Sequence, residues 1–152
     1  MRHWTRLGKA VIPGSDNYLT LYKSKDDFHI RLNNGVELMS SRKHGSEDAL
    51  GALPCQRLKS AEAACVLIGG LGMGFTLAAV LASVGTGAQV TVAELIPEVA
   101  DWNRGPLGEF NGYALNDSRC DVQIADVCDL IRDNPNTYDV IALDVDLSLI
   151  HI

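Results

Sequence analysis

The sequence predicts an α/β protein: a parallel sheet built of βαβ units, incomplete toward its C-terminal end, preceded by a small antiparallel β-domain. Three observations predict it. From Ala64 onward, short apolar runs alternate with segments of helical period, the pattern of parallel strands joined by crossover helices. The first of these runs ends in a glycine-rich turn, Gly69-Gly70-Leu71-Gly72-Met73-Gly74. Upstream of it, apolar and polar residues alternate with period two, as half-buried antiparallel strands do.

The N-terminal part reads as a sheet of three strands. Leu19 and Leu21 alternate with Tyr18, Thr20 and Tyr22, and Phe28, Ile30 and Leu32 alternate with His29 and Arg31. Val36 and Leu38 follow the tight-turn signal Asn33-Asn34-Gly35. Ser46 is then the expected N-cap of a helix, with Glu47 and Asp48 in its first turn where the helix dipole favours acids. That helix is expected to run to about Ser60, with a kink or break at Gly51 or Pro54. Cys65-Val66-Leu67-Ile68 is the first parallel strand, and Leu77, Val80, Leu81 and Val84 mark the helix after it. Gln89 to Ala93 is the second strand and ends in Glu94. Pro97 opens a helix through Trp102, Asp121 to Ile124 is the third strand, Val127 to Arg132 is helical, and Tyr138 to Leu143 is the fourth strand.

These boundaries divide the chain into an N-terminal β-hairpin domain (1–45), a Rossmann-like domain (46–146) and a tail (147–152). Such sheets usually have more than four strands. The tail Leu147-Ser148-Leu149-Ile150-His151-Ile152 resembles translated sequencing adapter, so the expectation is a natural gene that continues past Asp146. About a third of a typical domain of this class would then be missing. The alternative is a short extension of the fourth strand.

Composition sets the outer limits. The net charge of -6 argues against non-specific nucleic-acid binding and tolerates a cationic partner. The longest apolar helical run, Phe75 to Val84, is about half the length needed to cross a membrane. Met1 to Gly14 has no apolar h-region, so no signal peptide is read there. Cys55, Cys65, Cys120 and Cys128 form no CxxC pair. The expectation is a cytoplasmic protein with free thiols and no metal site.

The residues that carry chemistry sit at strand ends. In Ile68-Gly69-Gly70-Leu71-Gly72-Met73-Gly74 the glycines allow a tight turn and close approach of a ligand, and the following helix points free N–H groups at it. A dinucleotide site would read GxGxxG, but Phe75 stands at the last glycine position. The form here is GxGxG, as in S-adenosylmethionine enzymes; a turn that binds nothing is the alternative. Glu94, 20 residues past Gly74, can accept hydrogen bonds from two ribose hydroxyls, or be a solvated acid. Leu95 and Ile96 could pack on one face of an adenine. Asp126, followed by Val127, can accept from an adenine amino group, cap the next helix, or do both. Asp144 and Asp146 end the fourth strand. A carboxylate there can anchor an ammonium and take its proton, or simply lie in water. A sulfonium leaves without help from a general acid.

With these residues in place, the sequence resembles the spermidine synthase family and its short bacterial relatives within the class I methyltransferase-fold proteins. The matching stretches are Val66 to Leu77, Ala93-Glu94-Leu95-Ile96-Pro97 and Tyr138 to Asp146, and the family also places a small β-domain first. The resemblance implies an aminopropyl transfer from decarboxylated S-adenosylmethionine, or a transfer from S-adenosylmethionine itself. It puts the donor on Gly70, Gly72, Gly74, Glu94, Leu95, Asp126 and Val127, and a putrescine-like amine beside the catalytic candidates Asp144 and Asp146. It allows a homodimer and implies no metal. In the family, the segment from Ser40 to Glu47 borders the active site, which makes His44 and Glu47 contributors; an inter-domain loop with a helix cap is the other reading. Met73 takes the place of the aspartate in the family's GGGDGG loop, which leaves the donor open between its decarboxylated and intact forms.

Three other readings stay open. The first is a methyltransferase on the same scaffold. The second, a nicotinamide-dependent oxidoreductase, is opposed by Phe75. The third is a non-catalytic module that keeps the nucleoside site.

Overall fold

The computed structural model describes residues 3–145, in an antiparallel sheet followed by a parallel one. Strands β1 (Thr5–Val11), β2 (Tyr18–Ser24), β3 (Asp27–Leu32) and β4 (Glu37–Ser40) form the first sheet in chain order. The alternation read in β2 and β3 holds: Leu19 and Leu21 pair with Leu32 and Ile30, and the buried side chains Leu19, Leu21, Phe28 and Ile30 form part of the core. Leu32 N–H bonds to the Val36 carbonyl at 2.9 Å and closes the Asn33-Asn34-Gly35 turn.

The sheet has four strands where the sequence predicts three. Strand β1 lies at the edge and buries one side chain, Ala10. Its pairing with β2 slips between Arg6 and Gly8. An exposed edge with a register slip leaves no apolar alternation to read.

Helix α1 (Gly45–Gln56) begins one residue before the expected cap, with His44 at the N-cap position and no side-chain cap bond. Ser46 lies inside the first turn, and its hydroxyl donates to Glu47 at 2.7 Å. The helix runs on through Gly51 and Pro54 without a break and stops short of Ser60 at Gln56, where the Arg57 and Leu58 N–H groups turn back to the Pro54 and Cys55 carbonyls at 3.2 Å.

The second sheet contains β5 (Cys65–Gly69), β6 (Gln89–Glu94), β7 (Cys120–Ile124) and β8 (Val140–Leu143), all parallel, in the order β7-β6-β5-β8. Helices α2 (Phe75–Ser83), α3 (Pro97–Arg104) and α5 (Val127–Asp133) lie in the connections. A short helix α4 (Gly108–Asn111) and a 3-10 turn at Ala114–Asn116 link α3 to β7; the sequence reading did not anticipate them.

One core cluster joins β5 and β6 (Val66, Ile68, Val90, Val92) to α2 (Leu77, Val80) and to the inner face of the first sheet. Each fully buried Leu, Ile or Val contributes about 1.5–3 kcal/mol. Leu67 and Ala93 point to the opposite face, under Val127, Leu130 and Ile131 of α5. Trp102 of α3, itself buried, covers Gly8 of β1, where a Cβ would come within 2.5 Å of the indole nitrogen. The two sheets are therefore packed together through α3. Among the described residues, no helix is long and apolar enough to cross a membrane.

The chain runs from β5 outward through β6 to β7, then returns to place β8 on the other side of β5. The carboxyl ends of β5 and β8 thus flank a topological switch point, the place where open α/β sheets bind ligands.

Candidate active site

The glycine turn follows β5 at this switch point. Gly70, Gly72 and Gly74 all have positive φ, at 89°, 53° and 80°. Sterics at Gly70 and Gly74 also forbid a side chain. A Cβ on Gly70 would collide with the Asp144 carbonyl oxygen, and one on Gly74 would lie 2.5 Å from Asn111 Nδ2 and 2.7 Å from Asn103 Oδ1. Backbone bonds secure the turn on both flanks. Gly70 N–H donates to Ala93 O at 2.8 Å, and Asp144 N–H donates to Gly69 O at 2.7 Å. Met73 points into the core and is 4% exposed, so the turn presents no side-chain acid.

Glu94 ends β6 and is 7% exposed. Oε2 accepts from Leu71 N–H at 2.8 Å and Oε1 from Ile96 N–H at 3.0 Å. The solvated-acid reading is excluded. Burial pushes its pKa up, against the pull of N–H groups from Leu71, Ile96, Leu95 and Gly72. Glu94 holds the glycine turn to the start of α3.

Leu95 is exposed, as a base-facing side chain would be. Ile96 is not free for that role: it is buried in the main core cluster and occupies the N-cap of α3. The alternation that exposes Leu95 turns its neighbour inward.

Asp126 follows β7 and caps α5, Oδ1 accepting from Cys128 N–H at 2.8 Å. The helix-cap role is therefore real, and the exposed carboxylate keeps acceptor capacity beyond it. Val127 packs its side chain on Leu67 and Ala93, which leaves only its backbone to meet a ligand.

Asp144 follows β8 and is half-buried. Its Oδ2 accepts from the Thr76 hydroxyl at 2.8 Å, and the same hydroxyl lies 3.4 Å from the Glu47 carbonyl oxygen. Burial raises the Asp144 pKa, the Glu47 charge raises it further, and the Thr76 bond lowers it. Asp146 lies outside the described residues. The segment before α1 does reach this corner. His44 stacks on Phe75, the first residue of α2, at 4.0 Å between centroids and 13° between planes, and its Nδ1 pairs with Asp48 at 2.8 Å.

The strand order therefore brings the glycine turn, Glu94 and Asp144 to adjacent strand ends, with Asp126 one strand beyond Glu94. Sequence reasoning missed Thr76, Asn103 and Asn111. Thr76 lies two residues past the glycine motif, within the matching stretch Val66 to Leu77, but neither asparagine carries a periodic or motif signal. Among the described residues, no group of three or more His, Cys, Asp or Glu side chains is placed to hold a metal ion.

Solved structures share this architecture, two spermidine synthases among them. One is spermidine synthase from Thermotoga maritima, with a TM-score of 0.73 and 20% identity over 91% of this chain and 48% of that one. The other is a spermidine synthase in complex with the transition state analogue AdoDATO, with a TM-score of 0.72 and 23% identity over 91% of this chain and 48% of that one. The chain spans about half the length of the structures it matches. No protein-family model and no curated protein matches the sequence. The chain carries the spermidine synthase-like fold, an antiparallel N-terminal sheet set before a parallel, methyltransferase-like one.

Proposed function

We propose that this chain is the donor-binding part of a transferase that uses an adenosyl-sulfonium donor, and that the group transferred is aminopropyl, from decarboxylated S-adenosylmethionine to a putrescine-like amine. The observation that carries the reading is the convergence at one switch point of a side-chain-free glycine turn, buried Glu94 and half-buried Asp144. The residues present fit such a donor. The Glu94 carboxylate, at the end of β6 beside the turn, is the acceptor for the ribose hydroxyls. Exposed Leu95 offers an apolar face for the base, and Asp126 an acceptor for its amino group. The AdoDATO complex of one structural neighbour supports a donor of adenosyl type.

When bound, the donor supplies a carbon made electrophilic by the adjacent sulfonium. Asp144 anchors the incoming ammonium and takes its proton. The freed amine lone pair forms the C–N bond as the C–S bond breaks, and the sulfur departs as a neutral thioether. The burial that raises the Asp144 pKa makes it a better proton acceptor than a solvated aspartate. The Thr76 hydroxyl keeps its carboxylate oriented. Holding amine and donor at attack distance supplies the remaining acceleration.

One observation favours methyl transfer from intact S-adenosylmethionine as a second reading. Gly72 has no side chain and Met73 is buried, so the turn offers backbone N–H groups and no acid to the donor tail. Calorimetric titration with decarboxylated and intact S-adenosylmethionine, side by side, tests both. Tighter binding of the decarboxylated form supports aminopropyl transfer, tighter binding of the intact form supports methyl transfer, and binding of neither refutes the donor site.

A further inference from the structure

The glycine turn is gripped from behind by two asparagines. Asn103 of α3 is 1% exposed and Asn111 of α4 is 6% exposed. Asn103 Nδ2 donates to the Gly72 carbonyl and the Val99 carbonyl, both at 2.8 Å. Asn111 Nδ2 donates to the Met73 carbonyl at 3.0 Å and to Asn103 Oδ1 at 2.7 Å. Asn111 Oδ1 accepts from Ala114 N–H at 3.1 Å. Every amide hydrogen of the pair is used, and the network fixes which way each amide faces.

A carbonyl and the next N–H share one trans peptide and point opposite ways. With the Gly72 carbonyl drawn onto Asn103, the Met73 N–H is turned away from α3. Glu94 fixes the other end of the same turn through Leu71 N–H. The two anchors divide the work. Glu94 sits at the ribose end, and the asparagines set the peptides at Gly72 and Met73, farther along the turn.

We propose that Asn103 and Asn111 are positioning residues that aim the Met73 peptide at the amino-acid or aminopropyl tail of the donor, so that the pair governs tail affinity and not nucleoside affinity. This rests on the adenosyl-sulfonium reading of the site. A purely structural pair would weaken every ligand of the crevice alike.

The test compares two ligands on the 152-residue chain. One is whichever form of S-adenosylmethionine, decarboxylated or intact, binds the wild type tighter. The other is 5′-methylthioadenosine, which has the nucleoside and no such tail. Asn103→Ala and Asn111→Ala are expected to weaken the tailed donor about tenfold or more and 5′-methylthioadenosine by less than about threefold. Asn111→Ala removes the donor to the Met73 carbonyl without setting a buried carboxylate against the Met73 and Asn103 oxygens. On the wild type itself, which needs no variant to fold, the tailed donor is expected to shift the Asn103 and Asn111 side-chain amide NMR signals, with 5′-methylthioadenosine leaving them in place. Equal weakening of both ligands, or equal shifts by both, overturns the positioning role while the donor site stands. Failure of the wild type to bind either ligand overturns the donor site and the positioning role together.

Discussion

Replacing Gly74 by alanine separates backbone strain from steric conflict, because Gly112 offers a matched control. Both residues have positive φ, at 80° and 68°. A Cβ at Gly112 meets nothing within 4 Å, whereas one at Gly74 lies 2.5 Å from Asn111 Nδ2 and 2.7 Å from Asn103 Oδ1. An L-residue in the left-handed region costs roughly 1–2 kcal/mol, and loss of the glycine's unfolded-state freedom returns about 0.4–1 kcal/mol. Gly112→Ala should therefore cost about 1 kcal/mol. At Gly74 the asparagines must also move, which disturbs the buried bonds to Met73 O and Asn103 Oδ1. Each buried polar group left without its partner costs about 1–3 kcal/mol. The total for Gly74→Ala is about 3–7 kcal/mol, or a fall in Tm of roughly 6–28 °C for a chain of this size. Urea and thermal unfolding followed by circular dichroism measure both variants. Equal losses at the two positions, within about 0.5 kcal/mol, would refute the claim that the asparagine pair pins the turn.

Other expectations follow from single groups. Asp144→Asn should leave donor affinity within about threefold while turnover falls by about a hundredfold or more; calorimetry beside an amine-transfer assay separates the two, and loss of donor binding would contradict the assignment. Asp126→Asn keeps a capping oxygen and should hold Tm, whereas Asp126→Ala should cost about 1 kcal/mol of stability. A drop in donor affinity in both variants would mean that the carboxylate meets the base as well as the helix. Because Glu94 has a folded pKa above its ordinary 4.5, the native state holds its proton longer than the unfolded chain, so this group's contribution falls as pH rises from 4.5 through the folded value. Glu94→Gln should abolish that fall, and a wild-type-minus-variant difference in urea stability that stays flat from pH 4 to 7 would contradict it. Asp117 is drawn down to about 2 by Arg119, whose Nε and Nη2 meet its two oxygens at 2.9 and 2.8 Å. Its stabilisation should be complete above pH 3.8 and lost as pH falls through about 2, so acid-unfolding curves of Asp117→Asn and wild type should converge there.

The legible parts of the molecule were those where local chemistry and tertiary role agree. Val66-Leu67-Ile68 is apolar throughout because both faces of β5 are covered, so the run reads as a strand without knowledge of its neighbours. Glu94 and Asp144 were found because they sit where such runs stop. Strand β1 escaped because its pattern reflects solvent more than core. Asn103 and Asn111 escaped because their meaning is wholly tertiary: nothing nearby in the chain announces that an amide on α3 must meet the carbonyl of Gly72, 31 residues earlier. Ser46 was misplaced as a cap for a related reason, since stacking on Phe75 and pairing with Asp48 hold His44 at the helix entrance.

The strand order also has a consequence in time. Pairing β5 with β6 joins residues 24 apart, Val66 with Val90, whereas β8 reaches β5 across 74 residues, as the bond from Cys65 N–H to Asp139 marks. Loop-closure entropy makes the longer connection about 1 kcal/mol costlier, and non-local pairing is the slower step in folding. The glycine turn and Glu94 should therefore assemble first, with Asp144 delivered when β8 zips onto a sheet that already exists. A folding intermediate of this chain would hold the nucleoside end of its site before it had the carboxylate that takes the proton.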